Sequence, residues 1–138
     1  YGPRQRPDLA IHKFVKMITE GKELTIYGDG SSLRDYTYID DIIDGVTSAV
    51  KYVENHQSVF EIVNLSGKNM IGLIDMVKQL ETALAKKANL VYLPPQAGDV
   101  LYTRADLTKA QKLLNYNPQT SFETGIEKFV AWYRNSKL

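Results

Sequence analysis

Two arginine-bearing turns carry the chemistry legible in this sequence, and both suit the recognition of anionic oxygen. The first is Tyr1-Gly2-Pro3-Arg4-Gln5-Arg6-Pro7, where turn-forming residues bracket two guanidinium groups. Stretches of this kind sit where a loop meets a ligand. The second is Gly28-Asp29-Gly30-Ser31-Ser32, followed after Leu33 by Arg34. A guanidinium is a rigid fork of donors, and after a flexible turn it suits bidentate contact with phosphate. A local ion pair with Asp35 or the Asp40 cluster accounts for Arg34 equally well, and the sequence leaves the two readings level. Further on, Gln96-Ala97-Gly98-Asp99 follows a Pro94-Pro95 stop. Gly98 lets backbone approach a ligand closely, and Asp99 could accept hydrogen bonds from ribose hydroxyls. An ordinary Asx turn is the alternative there.

Other patterns are weaker. Gly28-x-Gly30-x-x-Leu33 falls short of a dinucleotide fingerprint, because Leu33 replaces the third glycine and a strand pattern follows where a helix should start. Tyr133-x-x-x-Lys137 has the spacing of a dehydrogenase Tyr/Lys pair but lies at the chain end without a nicotinamide site, and reads as a decoy. Asp40, Asp41 and Asp44 are better explained by helix capping and the macrodipole than by a metal, so no metal site is assigned. His12 and His56 have no ligand partners in sequence; His12 is placed on a polar helix face and His56 in a loop.

The 138 residues fit one domain with a modest core. A net charge of +1 and the lack of a long Lys/Arg run argue against nucleic-acid or membrane-surface binding. With no cysteine, disulfides and thiol chemistry are excluded, which fits a reducing cytoplasm. Apolar stretches are too short to span a bilayer.

The elements that must position these turns alternate in type. Apolar spacing predicts helices over 8–20 (closed by Gly21), from Asp40 as N-cap, over Leu73–Leu84, over 106–114, and from a Thr120-x-x-Glu123 capping box onward. Strands are predicted over 24–27, 36–39, 59–65 and 89–93. The fold class is mixed α/β, with strands too short and scattered for a complete doubly wound sheet.

Taken in order, Tyr1-Gly2-Pro3-Arg4-Gln5-Arg6-Pro7-Asp8, Thr25-Ile26-Tyr27-Gly28-Asp29-Gly30, Arg34-Asp35-Tyr36-Thr37-Tyr38-Ile39-Asp40-Asp41, Gly98-Asp99-Val100 and Ala105-Asp106-x-x-Lys109-Ala110 resemble the carboxyl-terminal half of extended short-chain dehydrogenase/reductases. Within that superfamily the chain is most similar to NAD-dependent nucleotide-sugar epimerases acting on UDP-glucuronate or UDP-glucose.

The resemblance implies that residues 1–138 are a small nucleotide-sugar-binding domain, a carboxyl-terminal fragment of a longer enzyme without its complete Rossmann domain. It implies uracil contacts from the Thr25 and Tyr27 backbone, diphosphate on Arg34 and ribose on Asp99. Gln96 stands where the family's Arg-x-Gly-Asp form has a second phosphate-binding arginine, which puts that contact in doubt. Arg4 and Arg6 are candidates for a sugar carboxylate, and Ala10 and Ile11 for the pocket wall. Catalytic residues and the NAD loop are expected upstream of residue 1, so the fragment alone is expected to be inactive. The parent enzyme would be a cytoplasmic homodimer that oxidises its substrate transiently at C4 and returns the hydride. A dehydratase, decarboxylase or reductase of the same superfamily, or a non-catalytic binding module, is the alternative.

Overall fold

Ile11, Phe14, Val15 and Ile18 recur at helical spacing and form the buried face of the first helix, α1 (Ala10–Glu20). The computed structural model describes residues 1–136. Gly21 ends α1 in the left-handed region at φ 69°, its N–H reaching the Ile18 carbonyl, a conformation glycine adopts without strain.

The chain then enters β1 (Glu23–Tyr27), where Leu24 and Ile26 point into the core and Tyr27 points out. Short β2 (Leu33–Asp35) pairs antiparallel with β3 (Met70–Gly72), and between them runs α2 (Ile39–Glu54). After β3 the chain forms α3 (Leu73–Leu84), then β4 (Asn89–Leu93), α4 (Thr108–Leu114) and α5 (Phe122–Asn135). β4 lies parallel to β1, in register from Glu23 opposite Asn89 to Tyr27 opposite Leu93. A parallel pair demands a crossover, here supplied by everything between the two strands.

Two cores result. The main one joins α1, β1, α3 and α5 through Ile11, Val15, Leu24, Ile26, Met76, Leu80, Ile126 and Phe129. Burying a side chain such as Phe129 contributes about 1.5–3 kcal/mol. The smaller core sits between α2 and α4, around Ala110, Leu114 and Tyr116, with Ala49, Tyr52, Val63 and Leu65 packed on it. Asp41 connects the two halves: it is buried, and its carboxylate accepts the Gln119 N–H at 2.8 Å and the Thr120 N–H at 3.2 Å. That bond sets the approach of the chain to α5.

Mixed α/β architecture with short strands is what the sequence implies, but several local expectations are corrected. Residues 36–39 do not form a strand; β2 lies earlier, because Leu33–Asp35 finds a partner in β3, which the sequence reading missed. Residues 59–65 do not form a strand, since no partner strand stands beside them among the described residues. Asp40 is not an N-cap: α2 begins at Ile39, and Asp40 and Asp41 occupy its first turn. The cap of α5 is Ser121, whose hydroxyl accepts the Thr124 N–H at 3.1 Å, one residue later than the capping box placed it.

His12 is not on a polar face. It is buried, edge-on to Phe129, Trp132 and Tyr133 at 5.5–5.8 Å, and its Nδ1 donates to the Gln5 carbonyl at 2.9 Å. His56 is exposed beyond α2, stacked on Tyr52. No helix among the described residues is long and apolar enough to cross a membrane.

Candidate functional site

The carboxyl ends of β1 and β4 lie side by side, and the loops leaving them define the site. In parallel α/β arrangements ligands settle at this end of the strands. From β1 the chain makes the Gly28–Ser32 turn. Asp29 Oδ1 accepts the Ser31 N–H at 2.9 Å, and Ser31 holds the Asp29 carboxyl below its usual range. Gly30 is buried at φ 77°, and a Cβ there would come within 2.6 Å of Ile74, so this turn needs glycine for both conformation and space. From β4 the chain passes Pro94-Pro95 into a second turn closed by the Asp99 N–H on the Gln96 carbonyl at 3.2 Å.

Between the turns is a cavity of about 560 Å³ lined by Tyr27, Ser31, Ser32, Gln96, Asp99 and Leu101, among others. Its size suits a small organic ligand. Arg34 lies outside that lining; its Nη2 donates to Asp99 Oδ1 at 2.5 Å, while Nη1 donates to the Leu33 carbonyl. Of the alternatives weighed for Arg34, neither Asp35 nor the Asp40 cluster holds it. Its partner is Asp99, another of the residues singled out in the sequence.

Asp35 has a different task. Its carboxylate accepts the Gly67 N–H at 3.1 Å and the Ala105 N–H at 3.4 Å, tying β2 to two neighbouring loops. Asp35 thereby fixes the backbone that carries Arg34. Sequence reasoning missed this role because both partners are distant in the chain.

Tyr27, Gln96 and Asp99 thus line one cavity, and Arg34 joins them only through its bond to Asp99. Thr25 is half-buried within β1 opposite Val91. Ile11 lies in the main core at 1% exposure, and Ala10 packs against that core from the start of α1. Arg4 and Arg6 stand exposed on the opening loop, outside the lining of this cavity, with Arg6 paired to Asp8 at 3.0 Å. Arg4 holds a left-handed backbone at φ 65°, uncommon for a residue with a Cβ. The loop is pinned by the His12–Gln5 bond and by the Gln5 N–H on the Gly2 carbonyl at 3.1 Å.

The glycine turn does not fit a dinucleotide. It leads into β2 rather than a helix, so no helix amino terminus faces a pyrophosphate there. Among the described residues no cluster of three metal-ligating side chains occurs. The phenols with displaced acidity all move away from base function. Burial raises Tyr1, Tyr36, Tyr38 and Tyr133 and takes Tyr116 up to about 12. Lys137, the partner in the Tyr133-x-x-x-Lys137 spacing, lies outside the described residues. The cavity lining thus carries two carboxylates, Asp29 and Asp99, with the Arg34 guanidinium held beside it on Asp99, and the shifts give no phenol poised to take a proton at neutral pH.

The chain is 42% identical over 137 residues to the UDP-glucuronate 4-epimerase of Thermodesulfobacterium geofontis, covering 99% of this chain and 41% of that protein. Its fold matches a crystal structure of UDP-glucuronic acid 4-epimerase from Bacillus cereus in complex with UDP-glucuronic acid and NAD, with a TM-score of 0.89 and 38% identity over 99% of this chain and 43% of that one. It matches dTDP-glucose 4,6-dehydratase from Bacillus anthracis in complex with NAD at a TM-score of 0.85 and 27% identity, over 99% and 42% of the two chains. The chain thus spans about two-fifths of the length of these relatives. The sequence pattern of the family described as GDP-mannose 4,6 dehydratase matches residues 1–129. The chain belongs to that family.

Proposed function

We propose that this chain is the substrate-holding part of an NAD-dependent UDP-sugar 4-epimerase whose substrate is UDP-glucuronate. The observation that carries the reading is that Tyr27, Gln96 and Asp99 line one cavity at the carboxyl ends of β1 and β4, with Arg34 bonded to Asp99 beside it. In this reading the Arg34 fork turns from Asp99 to the diphosphate, and the freed carboxylate accepts from the ribose hydroxyls. The backbone at Thr25 and Tyr27 holds the uracil. Gln96, a neutral amide, leaves Arg34 as the principal cation on the diphosphate.

The sugar extends from the cavity towards the opening loop, where Arg4 or Arg6 meets its carboxylate, with Ala10 and Ile11 behind that loop. These residues position the sugar; proton and hydride transfer fall to a part of the longer protein outside this chain, where NAD binds. That protein is read as a cytoplasmic homodimer.

Titration calorimetry tests the binding claim. UDP-glucuronate should release heat with the chain and bind more tightly than UDP-glucose, and the preference should shrink in an Arg4→Ala/Arg6→Ala double variant. No heat with either nucleotide at millimolar concentration overturns the claim. The likeness to the dehydratase supports a second reading, a dehydratase on the same scaffold. Product analysis of the longer protein separates them, because a C4 epimer sustains the first reading and a 4-keto-6-deoxy sugar the second.

A further inference from the structure

The opening loop that carries Arg4 and Arg6 is held at both ends by backbone. The Ile39 N–H donates to the Tyr1 carbonyl at 2.8 Å where the loop begins, and the Leu9 N–H donates to the Arg6 carbonyl at 3.3 Å where α1 takes over. Between these points the chain turns sharply, with the Gln5 N–H on the Gly2 carbonyl and Arg4 at φ 65°. A residue with a Cβ keeps that conformation only where its surroundings over-determine it. The Gln5 side-chain oxygen does not supply the fastening: Oε1 is buried without a hydrogen-bond partner among the described residues.

The fastening comes from α1. His12 is 5% exposed, and its Nδ1 lies 2.9 Å from the Gln5 carbonyl oxygen. A carbonyl oxygen only accepts, so Nδ1 carries the hydrogen. Among the described residues this is the one hydrogen bond that reaches 2–8 from beyond Leu9. The imidazole is kept from swinging away, because the rings of Phe129, Trp132 and Tyr133 meet it nearly edge-on, at interplanar angles of 71°, 87° and 89°. The carbonyl that it holds stands between two guanidinium-bearing residues, one on each side. Turning that peptide would redirect both of them.

We propose that His12 is a positioning residue for specificity: by fixing the Gln5 carbonyl it aims Arg4 and Arg6, and so sets the preference for a sugar that carries a carboxylate over a neutral one. In this role it touches neither sugar nor cofactor. The inference rests on the substrate reading above and deepens it, since it makes a buried ring on α1, packed on α5, the part that adapts a nucleotide cavity to an acidic sugar. Helix α5 thereby bears on the sugar end of the ligand, although none of its described residues lines the cavity at the carboxyl ends of β1 and β4.

The test is titration calorimetry on the longer protein that contains this chain, loaded with NAD, against UDP-glucuronate, UDP-glucose and UDP. His12→Phe keeps a ring among the three aromatic side chains and removes the donor. Its preference for UDP-glucuronate over UDP-glucose should fall about tenfold, the loss expected when one charge-assisted contact is misaligned, while UDP binds as before. His12→Asn returns an N–H to the position of Nδ1, since both nitrogens are bonded to Cγ. It should recover most of the preference although it fills the site less well and melts lower. A purely structural role gives the opposite order, with preference following the melting temperature. That order, or a preference unchanged in His12→Phe, overturns the inference and leaves the substrate reading standing. An unaltered protein without preference for UDP-glucuronate removes the substrate reading, and this inference with it. His12→Leu, equally without a donor, replaces the Phe variant where that variant does not fold.

Discussion

Arg34 and Asp99, separated by 65 positions in the chain, form an ion pair beside the cavity at the carboxyl ends of β1 and β4, which Asp99 lines. The pair is partly solvated, with side-chain exposures of 26% and 50%, so its own stabilising contribution is small. In the proposed function the pair holds a guanidinium and a carboxylate that a nucleotide diphosphate would engage separately.

Arg34→Ala should weaken UDP binding by about 1.5–3 kcal/mol, the range for a hydrogen bond to a charged group. Asp99→Asn should cost less, because it removes one acceptor while releasing the guanidinium. Calorimetry on both variants checks the order, and an unchanged affinity in Arg34→Ala would remove Arg34 from the diphosphate.

Gly125→Ala should destabilise the fold. A Cβ there would fall 2.1 Å from Tyr1 Oη and 2.7 Å from its Cζ. Overpacking of this kind costs about 1–3 kcal/mol. Tyr1→Phe in the same chain should restore part of the loss by removing the nearest atom. Chemical denaturation of the single and double variants reads the difference.

Asp41→Ala should lower stability by about 1–3 kcal/mol, since it leaves the Gln119 and Thr120 amides without their acceptor. Faster amide exchange at 119–124, the approach and first turn of α5, is the local signature. Loss of stability without that signature would argue against the clamp.

Acid sensitivity should trace in part to Glu81. The Ala88 N–H at 2.9 Å, with Lys87 beside it, holds the Glu81 carboxyl below its ordinary value of 4.5. A carboxyl depressed in the folded state stabilises fully above its unfolded value, and that contribution is lost as pH falls through the folded one. Glu81→Gln should therefore lower the melting temperature at neutral pH and flatten its fall below about pH 4.5. A melting curve as steep as that of the unaltered chain in acid would contradict this.

What the sequence disclosed and what it hid follow from the range of the interactions. Ile11, Phe14, Val15 and Ile18 declare α1 because helical periodicity is local, and Gly21 and Asn115 end their helices in left-handed conformations for reasons equally local. The run over 59–65 reads as a buried strand, but a strand needs a neighbour, and none of the described residues supplies one. His12 misled because an isolated histidine says nothing of Phe129, Trp132 and Tyr133, which surround it from a helix more than a hundred residues later. For the candidate site, the residue types at 34, 96 and 99 were visible, whereas the Arg34–Asp99 pairing was not. Asp35 showed as a charge beside Arg34, and only the fold reveals it as the anchor of two loops.

The parallel register of β1 and β4 also governs when the cavity can exist. Tyr27 and Leu93 stand opposite each other, so one rim emerges from a ribosome long before the other. Closing so large a loop is entropically slow, and non-local pairings of this kind delay folding. The helices can gather first, and the cavity is among the last parts of the chain to acquire its shape.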